Sequence, residues 1–172
     1  MPTLELRPIG VIHTPFGDTQ GMPIQPSGAA GVEGTVEVYD EYLEGLEDLD
    51  GFSHIILLYH FHRSNGFKLR VVPFMDDQQH GLFATRAPNR PNPIGLSIVQ
   101  LSKVENNLLY VQNVDILDGT PLLDIKPYVP AFDQQIEVRT GWIENANKRV
   151  DEYAADERFV KNSEPSIANS EH

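Results

Sequence analysis

Apolar and polar residues alternate with a period of two along much of this chain. In residues 35–39, Val36 and Val38 share one face while Thr35 and Glu37 take the other, the pattern of a half-buried strand. Residues 54–61, His-Ile-Ile-Leu-Leu-Tyr-His-Phe, are apolar through their middle and rich in β-branched and aromatic side chains. They are too few for a stable helix, which predicts a central strand. Apolar runs at 98–104 and 108–114 flank Glu105-Asn106-Asn107 and predict a hairpin. A strand over residues 9–14 ends at Thr14-Pro15, and residues 136–142 alternate once more. Two stretches read as helical. Residues 39–49 carry Leu43, Leu46 and Leu49 behind a candidate N-cap, Asp40; residues 145–161 are rich in Ala, Glu and Arg, with Tyr153 and Phe159 as an apolar face. Residues 162–172 are small and polar and are expected to be frayed. Short strands punctuated by 13 Gly and 13 Pro predict a mainly β fold, a barrel or compact sandwich with a peripheral C-terminal helix.

Composition narrows the class. At 172 residues and 40% hydrophobic content the chain can build one sizeable core but not two comfortable ones. The absence of cysteine excludes disulfides and thiolate metal sites. No window has the length of a membrane span and no basic, then apolar, leader opens the chain, so the expectation is a cytoplasmic protein with no membrane partner. The formal charge of −12 argues against indiscriminate nucleic-acid binding, which depends on neutralising phosphates. That charge is uneven, however. Residues 33–50 hold eight acidic side chains and no basic one, whereas Arg63, Lys68, Arg70, Arg86 and Arg90 crowd the middle of the chain against only Asp76 and Asp77. An anionic ligand would bind in that middle segment. No Gly-x-Gly-x-x-Gly opens a helix after a strand, so neither a dinucleotide site of the Rossmann kind nor a P-loop is expected.

The candidate chemistry starts at residues 83–95, Phe-Ala-Thr-Arg-Ala-Pro-Asn-Arg-Pro-Asn-Pro-Ile-Gly. Pro88, Pro91 and Pro93 fix the backbone and remove donors, which leaves a rigid extended loop. On it, Arg86 and Arg90 offer planar forks for carboxylate or phosphate, and Asn89 and Asn92 add neutral donors and acceptors. The bland alternative is a surface loop whose arginines pair with the acidic flanks. A second motif spans residues 112–128, where Asp118-Gly119-Thr120-Pro121 marks a turn with exposed backbone polar groups. It also brings Asp115, Asp118, Asp124 and Lys126 into one stretch. Asp124 and Lys126 are two apart, so on a strand they share a face and are placed to polarise an N–H or grip an anion, or simply to form a surface ion pair. His60 and His62 have the spacing of two metal ligands on a strand, but two are too few for zinc and no metal is expected; His54 is expected to hydrogen-bond backbone at the strand entry. Residues 21–28, broken by Pro and Gly, read as a lid or a connector.

Taken together, residues 9–16 (Ile-Gly-Val-Ile-x-x-Pro-Phe), Phe52-Ser53-His54, Phe61-His62, residues 81–95 and residues 115–128 (Asp-x-x-Asp-Gly-Thr-Pro-x-x-Asp-Ile-Lys-Pro-Tyr) resemble the TsaA-like (TrmO) methyltransferases, in family order. The resemblance implies a single β-barrel over residues 1–142, a helical extension at 143–161 and a disordered tail at 162–172, a short form without the further C-terminal domain of longer bacterial members. It implies an S-adenosyl-L-methionine-dependent enzyme, commonly a homodimer, that methylates the exocyclic nitrogen of threonylcarbamoyladenosine at position 37 of tRNA. Cofactor contacts carried over by the resemblance are Gln25, Pro26, Ser27, Arg63, Ser64, Arg86, Leu96, Leu117, Asp118, Gly119 and Thr120. Arg86 suits the methionine carboxylate, and the backbone of Leu117 to Thr120 suits adenine and ribose. In-line methyl transfer from a sulfonium needs alignment and no metal. Asp124, Lys126 and Asp118 are the catalytic candidates, and Arg90, Asn92, Lys126 and Tyr128 the candidates for substrate binding. The rival readings are a small-molecule methyltransferase of the same fold and a non-catalytic cofactor-binding or adaptor protein.

Overall fold

The computed structural model describes residues 3–18, 26–74 and 76–144. Six antiparallel strands close a barrel in the order β1 (Gly10–His13), β2 (Glu33–Val38), β7 (Leu108–Gln112), β6 (Ile94–Glu105), β3 (His54–His60) and β8 (Thr120–Pro127), the last pairing back to β1. A small second sheet pairs β4 (Arg70–Val71) with β5 (His80–Gly81). The barrel form of the expected mainly β fold is therefore what the chain adopts. Closure removes the sheet edges that would otherwise invite intermolecular pairing.

Alternation decides which side chains enter the core. On β3 the inward set is Ile55, Leu57 and Tyr59, and on β6 it is Gly95, Ser97, Val99 and Leu101. These meet Ile12, Val36, Leu109, Val111 and Leu122, all at 1% exposure or less. Each such aliphatic side chain contributes about 1.5–3 kcal/mol by leaving water. Gly10 permits the close β1–β2 approach, since a Cβ there would strike the backbone carbonyl of Glu37.

Strand register gives the barrel an oblique rim. β6 pairs with β3 through Ile94 to Gln100 and with β7 only from Gln100 to Glu105, so residues 94–99 overhang the end of β7. The β7–β8 connection, residues 113–119, crosses beside this overhang and contributes buried Val114 and Ile116 to the core. The hairpin between β6 and β7 turns at Asn106 and Asn107, with Asn106 at φ 54°, a conformation Asn tolerates.

Three expectations are corrected. Residues 39–49 form two 3₁₀ turns, Asp40–Leu46 and Leu49–Gly51, not one helix: Asp48 at φ 64° interrupts them, and Asp40 lies inside the first turn while Tyr39 caps it without a side-chain bond. Residues 136–142 are not a strand. The barrel closes through β1 and β8, leaving no edge for another strand, and Ile136 and Val138 stand in solvent at 95% and 63% exposure. After β8 comes one helical turn, α1 (Pro130–Asp133), then an irregular segment ending in the 3₁₀ turn Gly141–Glu144. His54 Nδ1 bonds the Ser53 hydroxyl at 2.9 Å instead of a backbone group. The expected C-terminal helix at 145–161 and the tail at 162–172 lie outside the described residues.

Candidate active site at one end of the barrel

Strand direction alternates around the barrel, so the ends of β1, β3 and β7 and the starts of β2, β6 and β8 share one mouth. The β1–β2, β3–β6 and β7–β8 connections therefore converge there. The β1–β2 connection includes the 3₁₀ turn Pro26–Ala29, which leads to Gly31, whose N–H donates to Asn113 Oδ1 at 2.9 Å. Pro26, Ser27, Arg63, Ser64, Arg86 and the turn Leu117 to Thr120 all lie in these connections; Gln25 is outside the described residues.

Short-range bonds tie the three connections together. His62 Nδ1 sits 3.3 Å from Thr120 Oγ1, linking the β3 exit to the start of β8. Burial lowers the His62 pKa, helped by Arg63 and His60, so the ring stays neutral at physiological pH. The Ser64 hydroxyl lies 3.1 Å from Pro88 O and 2.8 Å from Asn89 Oδ1, which fastens the Arg63-Ser64 turn to the proline-rich loop. Asp118 Oδ1 accepts the Thr14 N–H at 3.0 Å and lies 3.6 Å from His13 Nδ1, while the Asp118 N–H donates to Phe16 O and the Gly119 N–H to Ile12 O. Gly119 takes φ 72°, which suits glycine. Asp118 thus braces the turn against β1.

The two arginines of the rigid loop differ in use. Arg90 Nη1 donates to Thr85 O at 3.0 Å and to Ala87 O at 3.2 Å, and its guanidinium lies 5.8 Å from the Phe83 ring centre. Its Nη1 therefore clamps the loop that carries Arg86. Arg86 is exposed, and among the described residues no hydrogen bond or ion pair occupies it. Asn92 is exposed on the same loop, its carbonyl accepting the Ile94 N–H.

The remaining candidates lie elsewhere. Leu96 is on the outer wall, 48% exposed and opposite Leu58. Asp124 pairs with Leu58 on the other side of the same strand, so Leu96, Leu58 and Asp124 form one row across the outside of β6, β3 and β8. Lys126 Nζ and Asp124 Oδ2 are 2.8 Å apart and both half-exposed, which realises the shared strand face. Tyr128 stacks edge-on against His54 at the opposite end of the barrel, about 25 Å along β8 from Thr120. The structure does not bring it to the mouth. No group of three potential metal ligands converges among the described residues.

One cluster joins Asp115, named above among the grouped carboxylates, to two residues that the sequence did not single out. Under the mouth, the Ser97 hydroxyl donates to Asp115 Oδ1 at 2.7 Å and lies 3.0 Å from the Tyr59 hydroxyl. Desolvation raises the Asp115 pKa from 3.8 to about 6, against the lowering pull of the Ser97 bond and of Arg86. Burial also pushes the Tyr59 phenol up, so it remains protonated. Gly95 leaves room for the Tyr59 ring: a Cβ there would come within 2.8 Å of Tyr59 Cδ2 and closer still to Cε2 and Cζ. The signal for this cluster was a polar residue at inward parity on each of two strands, with an Asp between Val114 and Ile116.

Charge is segregated along the barrel. Arg63, Lys68, Arg70, Arg86 and Arg90 belong to the β3–β6 connection at the mouth, whereas Asp40, Glu41, Glu44, Glu47, Asp48 and Asp50 occupy the β2–β3 connection at the far end. These cations of a net acidic protein are therefore gathered in one connection, where Asp76 and Asp77 are the carboxylates among them.

Comparison with known proteins agrees with this geometry. Residues 11–134 match the family model described as tRNA-methyltransferase O N-terminal domain. The chain is 56% identical over 153 residues to a probable S-adenosyl-L-methionine-binding protein of Pyrococcus abyssi, covering 89% of this chain and 83% of that one. It is 38% identical over 134 residues to the mouse tRNA (adenine(37)-N6)-methyltransferase, covering 74% of this chain and 31% of that enzyme. The crystal structure of TrmO from Pseudomonas aeruginosa superposes with a TM-score of 0.69 at 39% identity, over 82% of this chain and 63% of that one. The chain belongs to the tRNA-methyltransferase O N-terminal domain family.

Proposed function

We propose that this protein is an S-adenosyl-L-methionine-dependent methyltransferase whose cofactor binds at the barrel mouth and whose acceptor is the exocyclic nitrogen of a modified adenosine at position 37 of tRNA. The observation that carries the reading is the convergence of the β1–β2, β3–β6 and β7–β8 connections, with Arg86 among them, which no hydrogen bond or ion pair holds among the described residues. Arg86 grips the methionine carboxylate, and the backbone of residues 117–120 and the Thr120 hydroxyl receive the nucleoside. The rigid Arg90-clamped loop holds Arg86 without ordering cost on binding. The cofactor supplies a methyl on a cationic sulfonium; the protein supplies alignment and excludes water. Asp124 and Lys126, beside Leu96 and Leu58 on the outer wall, orient the acceptor, and Asn92 touches it from the loop. The net basic β3–β6 connection draws in the polyanionic substrate despite the overall charge.

Two finer statements belong to the same proposal. The outer-wall strip Ile94, Leu96 and Ile98, exposed by 40%, 48% and 38%, is the face through which two copies pair, and the protein works in the cytoplasm. A second reading, a small-molecule acceptor, is favoured by the charge of −12. Filter binding of bulk tRNA at low and moderate salt separates the two, because only a tRNA enzyme gives salt-dependent retention. The deciding experiment is methyl incorporation into tRNA from a strain lacking its own enzyme, read by nucleoside mass spectrometry. Methylated threonylcarbamoyladenosine is expected; its absence alongside intact cofactor binding overturns the tRNA assignment.

A further inference from the structure

Charged side chains are otherwise kept out of the barrel interior, whose buried residues are Ile, Leu, Val, Ala and Tyr, with Ser97 and Thr120 as polar exceptions at the mouth. Asp115 is a half-buried carboxylate at the border of that interior. It lies between buried Val114 and Ile116 on the crossing from β7 to β8, and Ser97 on β6 holds one of its carboxylate oxygens at 2.7 Å. Ser97 is in turn fixed by Tyr59 on β3, whose ring is seated over Gly95. A direct bond from β6, itself backed by β3, thus holds the carboxylate, more restraint than a surface aspartate experiences. The cation whose charge reaches it is Arg86, which also acts on Tyr59, and among the described residues no hydrogen bond or ion pair holds Arg86, to Asp115 or to any other partner.

We propose that Asp115 is a positioning residue: held by Ser97 and Tyr59, its negative charge aims the otherwise unrestrained Arg86 guanidinium across the mouth, where the cofactor carboxylate docks. The proposal rests on the assignment of Arg86 to the cofactor, and it adds a regulatory consequence. Protonation of Asp115 removes the charge that steers Arg86, so cofactor affinity falls as the medium is acidified. The groups facing Asp115 are Arg86 from the proline-rich loop, Tyr59 from β3 and Ser97 from β6. Arg86 stays charged and Tyr59 stays neutral across this range, which leaves the Asp115 carboxyl as the group that changes. The imidazoles of His62 and His13 also lie near the mouth, so wild type and variants are compared at each pH.

The test has two readouts on the full chain. In the first, the Arg86 Nε resonance of the free protein is followed by ¹⁵N NMR from pH 4.5 to 8. It is expected to move with a midpoint near 6 in the wild type, to move at higher pH in Ser97→Ala, and to stay still in Asp115→Asn. In the second, S-adenosylmethionine is titrated calorimetrically over the same range. Wild-type affinity is expected to drop about five- to tenfold between pH 7.5 and 5, while Asp115→Asn binds weakly at every pH, a change of the size one charge-assisted contact gives. An Arg86 resonance that titrates identically in Asp115→Asn overturns the proposal, as does a variant that binds the cofactor like the wild type at pH 7.5. If the NMR coupling holds but the wild type binds no S-adenosylmethionine at any pH, the positioning of Arg86 stands and its assignment to the cofactor falls.

Discussion

Asp115→Asn should make the protein more stable at neutral pH. In the folded state the Asp115 carboxyl titrates at about 6 instead of 3.8, because desolvation outweighs the Ser97 bond and the pull of Arg86. A carboxyl whose folded pKa is raised favours the folded state fully below the unfolded value, and that contribution is lost as pH rises through the folded value. The difference amounts to about 3 kcal/mol against folding at pH 7.5. Asparagine has nearly the same volume and keeps an oxygen to accept the Ser97 hydroxyl, so the substitution removes the half-buried charge and little else. For a chain of this size each kcal/mol moves Tm by about 2–4 °C, which predicts a rise of about 6–12 °C at pH 7.5. Circular dichroism melts of both proteins from pH 3.5 to 8 measure it, and the gap should close toward pH 4. Equal Tm values at pH 7.5, or a gap that persists unchanged at pH 4, would refute the reasoning. A residue that lowers stability at the working pH is the kind expected where function, not folding, sets the side chain.

Other outcomes follow from individual contacts. Gly95→Ala should lower Tm by about 5 °C through overpacking against the Tyr59 ring, whereas Gly81→Ala, with open space at its Cβ, should leave Tm within about 2 °C of the wild type; paired thermal melts decide this. Trp142→Ala removes the indole N–H bond to Ala84 O at 2.8 Å and the stack on His80 at 4.4 Å, so limited proteolysis should cut residues 134–144 faster while the barrel's Tm shifts by less than about 3 °C. Arg90→Ala frees the loop from its own carbonyls and should weaken cofactor binding about fivefold without abolishing it, as titration calorimetry would register. Asp124→Ala and Lys126→Ala should leave cofactor affinity intact and lower turnover at least about tenfold, measured as methyl transfer under saturating cofactor.

Much of this fold could be read from local pattern. The β2, β3, β6 and β7 strands and the Asn106-Asn107 hairpin follow from period-two alternation and turn chemistry, because in a small barrel each strand has one buried face. The same pattern misleads at residues 136–142, where alternation is real but the closed barrel offers no edge to receive another strand. Residues 39–49 mislead for a different reason: the leucine spacing fits a helix, while the left-handed Asp48 that divides it into two turns leaves no trace in hydrophobicity. Of the candidate site, the rigidity of the proline loop and the Asp118-Gly119 turn were legible because proline and glycine act on their own backbone. The division of labour between Arg86 and Arg90 was not, since it depends on which carbonyls the folded loop turns toward Arg90. The Asp115–Ser97–Tyr59 chain was hidden for a related reason: its members are 38 and 18 residues apart in sequence and meet only through strand register.

In the proposed function the barrel mouth, through Arg86, holds S-adenosylmethionine. Isothermal titration of the cofactor into the wild type, Arg86→Ala and Lys126→Ala at pH 7.5 tests it most directly. One site is predicted in the wild type, a loss of about 10- to 100-fold in affinity in Arg86→Ala, and wild-type binding in Lys126→Ala, which sits on the outer wall. Undiminished binding by Arg86→Ala, or no binding by the wild type, would contradict the account.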